Sequence, residues 1–188
     1  FTRWKPRYGN PDLEEVLRRK DGSQAVVNHG FGSSTAEEQL YYYPRMVKAW
    51  KPRALVLMTY ANDRDYAYSP EEIVALQARL MAYARKDIPG IRFFVCDARP
   101  LAKHMDDLCW VSWSNHMAQY NELIDQYCQK HSDCTLVRHI DSPLFFENPE
   151  DVGDYNKIRR DVFIDDQVHY NPEGYGLYLK FFEKILDD

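Results

Sequence analysis

Long apolar runs are missing from this 188-residue chain, and none approaches the roughly 20 residues that a helix needs to span a bilayer, so no membrane span is expected. Basic clusters are also scarce. The largest is Arg18 to Lys20, and the formal net charge is −5, so nothing supplies the electrostatic footprint of a nucleic-acid partner. Cysteine is thin as well: Cys96, Cys109, Cys128 and Cys134 are too few and too irregularly spaced for a disulfide scaffold or a CxxC metal site. Cys128 and Cys134 flank QKHSD, and whether they pair or stay thiols depends on a compartment the sequence leaves open. Phe1 to Arg7 does not read as a signal peptide. No internal repeat, low-complexity tract or linker divides the chain, so residues 1–188 are expected to form one domain. With 45% hydrophobic and 28% charged residues, such a domain can bury a sizeable core.

What is present alternates. DLEEVLRRK (Asp12 to Lys20) has the helical spacing of Leu13, Val16 and Leu17, with Asp21 and Gly22 to end it. AVVN (Ala25 to Asn28) reads as a short buried strand. GFGSSTAEEQL then turns at its glycines and enters a helix through Ser34 and Glu37, which have capping-box spacing. RALVLMTY (Arg53 to Tyr60) is a second strand-length run. SPEE opens the next helix with Ser69 as N-cap, Pro70 at the first helical position and Glu72 completing the box. Pro89 and Gly90 stop that helix. IRFFVCD (Ile91 to Asp97) is a third strand, and a stretch with Trp110 and Trp113 in a loop leads to a helix around Met117 to Cys128. TLVRHID (Thr135 to Asp141) is a fourth strand. The last helix has Pro172 at its first position and a stripe of Tyr175, Tyr178, Leu179, Phe182 and Leu186. Continuously apolar strands alternating with helices predict an α/β fold with a parallel sheet covered on both faces.

In such a sheet, functional groups collect in loops at the carboxyl ends of strands. Three loops carry distinctive residues: NHGFGSST (Asn28 to Thr35), YANDRD (Tyr60 to Asp65) and DDQVH (Asp165 to His169). The spacing of Asp166 and His169 suits either a solvated turn or a pair in which the carboxylate fixes the imidazole tautomer and leaves a general base. GFGSS is either a turn chosen for its backbone angles or a set of N–H donors for an oxyanion. Asn62 is either a turn residue or a further oxyanion donor.

The order and context of these loops resemble the SGNH or GDSL-type hydrolases, whose four blocks are named for Ser, Gly, Asn and His. NHGFGSST resembles the glycine block, Ala61 to Asp63 the asparagine block, and DDQVHYNPEGY the Asp-x-x-His block with its following helix. The resemblance implies a three-layer α/β/α sandwich with a parallel, flavodoxin-like sheet. It further implies His169 as general base, Asp166 as its orienting carboxylate, Asn62 as side-chain oxyanion donor and Ser33 as backbone donor, with no metal or organic cofactor. The family usually has a second glycine where Ser33 stands, so the backbone angles at Ser33 become a question for the structure.

The nucleophile's block is the departure. Relatives of this type read roughly Gly-Ser-Ser-Ser followed by Ile-x-x-Trp, and FTRW (Phe1 to Trp4) resembles only the part after the serine. Of the serines present, Ser34 and Ser69 read as helix caps, and neither Ser33, Ser112 nor Ser114 follows a strand in the required place. The expectation is therefore a preceding segment, on the same chain or a separate one, that completes the sheet and carries the serine. The implied activity is hydrolysis of carboxylic esters, on small molecules or as O-acetyl groups of carbohydrate. Tyr41 to Tyr43 and WVSW (Trp110 to Trp113) either line a substrate pocket or pack helices. Two other readings stay open: a catalytically inactive binding module that keeps the cleft, and a metal-dependent hydrolase using Asp166, His169 and His29.

Overall fold

The computed structural model describes residues 13–103, 105–106 and 108–186. FTRW, and Asp12 at the expected start of the first helix, lie outside them. The chain forms two compact units. One runs from Ser33 to Asp141 apart from Leu101–Lys103; the other comprises those three residues with the chain before Ser33 and after Asp141.

The first unit holds the sheet. Strands β1 (Ala54–Leu57) and β2 (Arg92–Cys96) lie inside two of the apolar runs, and β3 (Cys134–Val137) takes the start of a third, whose end, His139–Asp141, is a 3-10 turn and not strand. They pair in parallel in the order β1-β2-β3, with Leu55 opposite Phe93 and Phe93 opposite Cys134. In the central strand Phe93 and Val95 are fully buried, which contributes roughly 1.5–3 kcal/mol for each such side chain. Among the described residues β1 pairs on one side only, and Val56 on it is 38% exposed.

Helices α2 (Ala36–Tyr43), α3 (Ala61–Asp65), α4 (Pro70–Asp87) and α5 (Trp110–Gln129) connect and flank these strands, after the short α1 (Leu13–Val16) of the other unit. The start of α4 is as expected: Ser69 Oγ accepts from Glu72 N–H at 3.2 Å and Glu72 Oε2 accepts from Ser69 N–H at 2.8 Å. Its buried positions Ile73, Gln77, Leu80, Met81 and Ala84 recur every three or four residues, one face of a helix. α5 begins at Trp110, so WVSW is its first turn and not a loop. Trp113 starts the buried stripe that continues through Met117, Tyr120, Ile124 and Cys128, and that periodicity draws the segment into the helix. Arg85 on α4 grips Asp133, just before β3, through bonds of 2.6 and 2.9 Å, with its guanidinium 5.0 Å from the Phe93 ring.

Three local expectations are corrected. The cap of α2 is Thr35, not Ser34: Thr35 N–H donates to Glu38 Oε2 at 2.7 Å, and Thr35 Oγ1 accepts from Glu38 N–H at 3.4 Å. STAEE carries the box spacing twice, and a tertiary bond from Ala36 N–H to Asp63 selects the second register. AVVN is not a strand: Val27 is 48% exposed, and among the described residues no ladder pairs with the segment. An apolar run becomes a strand only where another backbone takes its hydrogen bonds. The first helix stops at Val16 rather than Lys20, because Arg18 bridges to Gln24 around a turn in which Gly22 takes φ 80°.

The second unit is built around α6 (Pro172–Leu186). Asn171 caps it, its Oδ1 accepting from Gly174 N–H at 3.0 Å, and Pro172 occupies the first position as expected. Tyr178 packs with Phe145 and Tyr170 and Phe181 with Phe145, at ring separations from 5.5 to 6.4 Å, while Phe182 rests on Tyr178 and Phe163 on Tyr170, each at 4.9 Å. Gly174 lets the helix approach the backbone, since a Cβ there would lie 2.2 Å from the Val162 carbonyl oxygen.

Gly174→Ala should therefore cost about 1–3 kcal/mol, read as a lower urea midpoint at unchanged slope. Arg85 gives a pH-dependent expectation. Its hydrogen bond, opposed by partial burial, holds the Asp133 carboxyl below the ordinary 3.8. A depressed pKa stabilises the fold above the unfolded-state value and loses that effect as pH falls through the folded one. The stability gap between the native protein and Arg85→Met should be full at pH 7 and narrow below pH 3.8, as followed by denaturation across pH.

Candidate active site

The structure brings Asp166 and His169 together within the second unit. His169 Nδ1 lies 2.6 Å from Asp166 Oδ2, while Asp166 Oδ1 accepts from the backbone N–H groups of Val168 and His169 at 2.9 and 2.8 Å. Partial burial would raise the Asp166 pKa. The backbone N–H of His169, its ring and the Val168 N–H together outweigh it and hold the carboxyl below its ordinary value. An ionised carboxylate can only accept, so Nδ1 is the ring nitrogen that carries a hydrogen toward Asp166.

The loop that holds this pair is tied at both ends. Ile164 N–H donates to the His169 carbonyl at 2.9 Å, and Phe163 bridges to Tyr170. Between Asp166 and His169, Gln167 takes φ 56°, and its carbonyl accepts from the N–H groups of Ala102 and Lys103 at 3.2 and 3.0 Å. Holding a side-chain-bearing residue in this left-handed region costs on the order of 1 kcal/mol, and the two accepted bonds fix it there.

The glycine and asparagine blocks meet in the first unit. Asn62, at the second position of α3, donates from Nδ2 to the Ser34 carbonyl at 3.0 Å. Ser33, exposed, sits at φ 59°, so it adopts the left-handed backbone that a glycine would take without penalty. What sets this arrangement is Asp63, which is fully buried. Its Oδ1 accepts from Ala36 N–H at 2.7 Å and its Oδ2 from Tyr60 N–H at 3.0 Å. Burial raises the pKa of this carboxyl against the pull of the Ala36 and Tyr60 bonds. One side chain thus fastens the start of α2, next to Ser33, to the start of α3, which carries Asn62.

Residues 2–177 match the GDSL-like Lipase/Acylhydrolase family. The chain belongs to that family. Nothing among curated proteins matches. Solved structures with the same fold include a GDSL-like lipase from Bacteroides thetaiotaomicron, at 17% identity and a TM-score of 0.68 over 86% of this chain and 75% of that one. An acetyl-xylooligosaccharide esterase variant from Geobacillus matches at 16% identity and 0.68, over 94% and 78%. An acetyl esterase variant with bound acetate matches at 17% and 0.66, over 91% and 74%. The fold of this GDSL-family chain is that of the SGNH hydrolases, a parallel sheet flanked by helices.

Other singled-out residues have structural partners. Tyr43 is buried and Tyr41 exposed. Trp113 is buried under the Arg64 guanidinium, 5.2 Å from its ring. Ser112 Oγ accepts from Arg64 at 3.2 Å, and Ser114 Oγ donates to the Val111 carbonyl at 3.2 Å. Cys96, Cys109, Cys128 and Cys134 are not joined in disulfides. Among the described residues no three His, Cys, Asp or Glu side chains, His29 included, stand together as a metal-binding group.

Sequence reasoning missed Asp63, although it lies inside the quoted asparagine block. It also missed a second Asp–His pair, fully buried in the first unit. Asp97 follows β2 and His139 follows β3; Asp97 Oδ1 lies 2.6 Å from His139 Nδ1 and accepts His139 N–H at 2.9 Å, and Oδ2 accepts Ile140 N–H at 3.1 Å. The available signal was a polar residue ending an apolar strand in IRFFVCD and TLVRHID.

Asp63→Asn tests the clamp. The amide keeps one acceptor but turns an NH₂ toward the other backbone N–H, so the fold should lose about 1–3 kcal/mol by chemical denaturation.

Proposed function

We propose that this GDSL-family protein hydrolyses carboxylic esters by a Ser-His-Asp mechanism, with short acyl groups or carbohydrate O-acetyl groups as substrate and the nucleophilic serine on a segment preceding Phe1. The observation that carries the reading is the 2.6 Å contact between His169 Nδ1 and an Asp166 held ionised, which leaves Nε2 as base. In this mechanism the serine oxygen attacks the ester carbonyl and its proton passes to His169 Nε2. Asp166 steadies the imidazolium, and the same proton then goes to the leaving alkoxide. Water, deprotonated by His169, attacks the acyl-serine; the carbonyl reforms, the acid departs and the serine regains its hydrogen.

The developing oxyanion takes donors from the Ser33 backbone and the Asn62 carboxamide, the roles their blocks have in the family. Asn62 currently donates to the Ser34 carbonyl, and substrate would exchange that acceptor for the oxyanion. Acetyl substrates are supported by the acetyl esterase and the acetyl-xylooligosaccharide esterase among the structural neighbours.

The test uses the full-length protein. A fluorophosphonate probe should label one serine upstream of Phe1, and p-nitrophenyl acetate should be hydrolysed. Asn62→Ala should lower kcat by about 10²–10³ with KM little changed. A protein that binds acetylated sugars yet neither reacts with the probe nor hydrolyses any ester would be a binding module instead.

A further inference from the structure

Tyr60 ends the run of β1 and opens α3 with φ 113° and ψ −63°, a conformation that bulky residues avoid. Such strain persists only where the surroundings over-determine it. Asp63 holds the Tyr60 backbone N–H, and the Tyr60 carbonyl accepts Arg64 N–H at 2.8 Å. The side chain of Tyr60 is held by a different element. His116, on α5, places Nδ1 3.1 Å from the Tyr60 hydroxyl and Nε2 2.9 Å from the Tyr68 carbonyl oxygen. Tyr60 and Tyr68 bracket the segment 61–67, which carries Asn62.

The protonation pattern of this bridge follows from its partners. A carbonyl oxygen only accepts, so Nε2 carries a hydrogen. Burial, opposed by the Tyr68 carbonyl, holds the His116 pKa below its ordinary 6.5, so the ring is neutral at pH 7 and Nδ1 accepts from the Tyr60 hydroxyl. The Tyr60 ring lies 5.5 Å from the imidazole and 5.0 Å from Tyr120, so the bridge is packed as well as bonded. Inside the segment Tyr68 N–H closes back on the Asp63 carbonyl at 3.0 Å, which makes 61–67 a compact body fixed at its two ends.

We propose that His116 is a positioning residue for Asn62: one imidazole pins both ends of the segment and so fixes where the carboxamide points. The inference rests on the reading of Asn62 as an oxyanion donor. Displacement of such a donor by a fraction of an ångström weakens its bond to the transition state while leaving ground-state binding nearly intact.

A double-mutant cycle on the full-length protein, with p-nitrophenyl acetate as substrate, tests it. His116→Ala should lower kcat about tenfold with KM nearly unchanged, and His116→Gln, which keeps one acceptor and one donor, should recover most of that loss. In an Asn62→Ala background, His116→Ala should change kcat by less than about twofold, since no carboxamide remains to be misplaced. A merely structural histidine would lower kcat by the same factor in both backgrounds, and that result, or no loss at all in folded protein, overturns the inference. Should His116→Ala fail to fold, Tyr60→Phe removes one of the two bonds without emptying the space and carries the same cycle with the same expectations. If Asn62→Ala itself leaves kcat unchanged, the reading of Asn62 fails, and the inference with it. If Asn62→Ala is impaired but the His116 variants are not, the inference alone fails.

Discussion

A carboxylate removed from water is costly unless each oxygen finds a donor, and Asp63 meets that requirement with two backbone N–H groups from segments far apart in sequence. The consequence reaches beyond the residue. Ala36 N–H can reach it only if α2 starts at Thr35, and Tyr60 N–H only if the chain leaves β1 through a strained turn. Both backbone blocks beside Ser33 and Asn62 therefore take their positions from one buried side chain. Hydrophobic packing of α4 and α5 supplies the stability of this unit, but it does not specify where those two blocks stand.

Asp166 and Asp97 use the same device. Each accepts two backbone N–H groups together with a histidine ring, one pair half-exposed and the other sealed. Exposure separates their uses. The His169 side chain keeps partial access to solvent, as the proposed proton transfer requires, whereas the Asp97–His139 pair is sealed and ties the ends of β2 and β3. A short Asp–His contact is thus not in itself a sign of catalysis. What distinguishes the first pair is its place in a stretch that resembles a family block, together with its partial exposure.

Features decided by local chemistry were legible in the sequence. Ser69, Pro70 and Glu72 set the start of α4 within four residues, and Pro172 marks the first position of α6. Three of the four expected strands appear, each shorter than its apolar run. The failures share a cause: they hinge on a partner distant in sequence. AVVN has strand composition but no adjacent ladder among the described residues, STAEE offers two equivalent caps until Asp63 chooses, and WVSW becomes helix because Trp113 faces the buried side of α5. The Asp-x-x-His pair was readable because it is local. The supports of Asn62, Asp63 and His116, were not, because their roles exist only once β1, α2 and α5 are assembled.

That locality has an evolutionary corollary. His169 and Asp166, the proposed base and its orienting acid, sit three residues apart, and the carboxylate is positioned by amides of the same short loop. Such a unit tolerates drift in the surrounding core, because no distant side chain has to co-vary with it. Asn62 has no such independence: its surroundings are set by separate elements, through Asp63 and the Ser34 carbonyl, so substitutions far from it in sequence can still move its carboxamide.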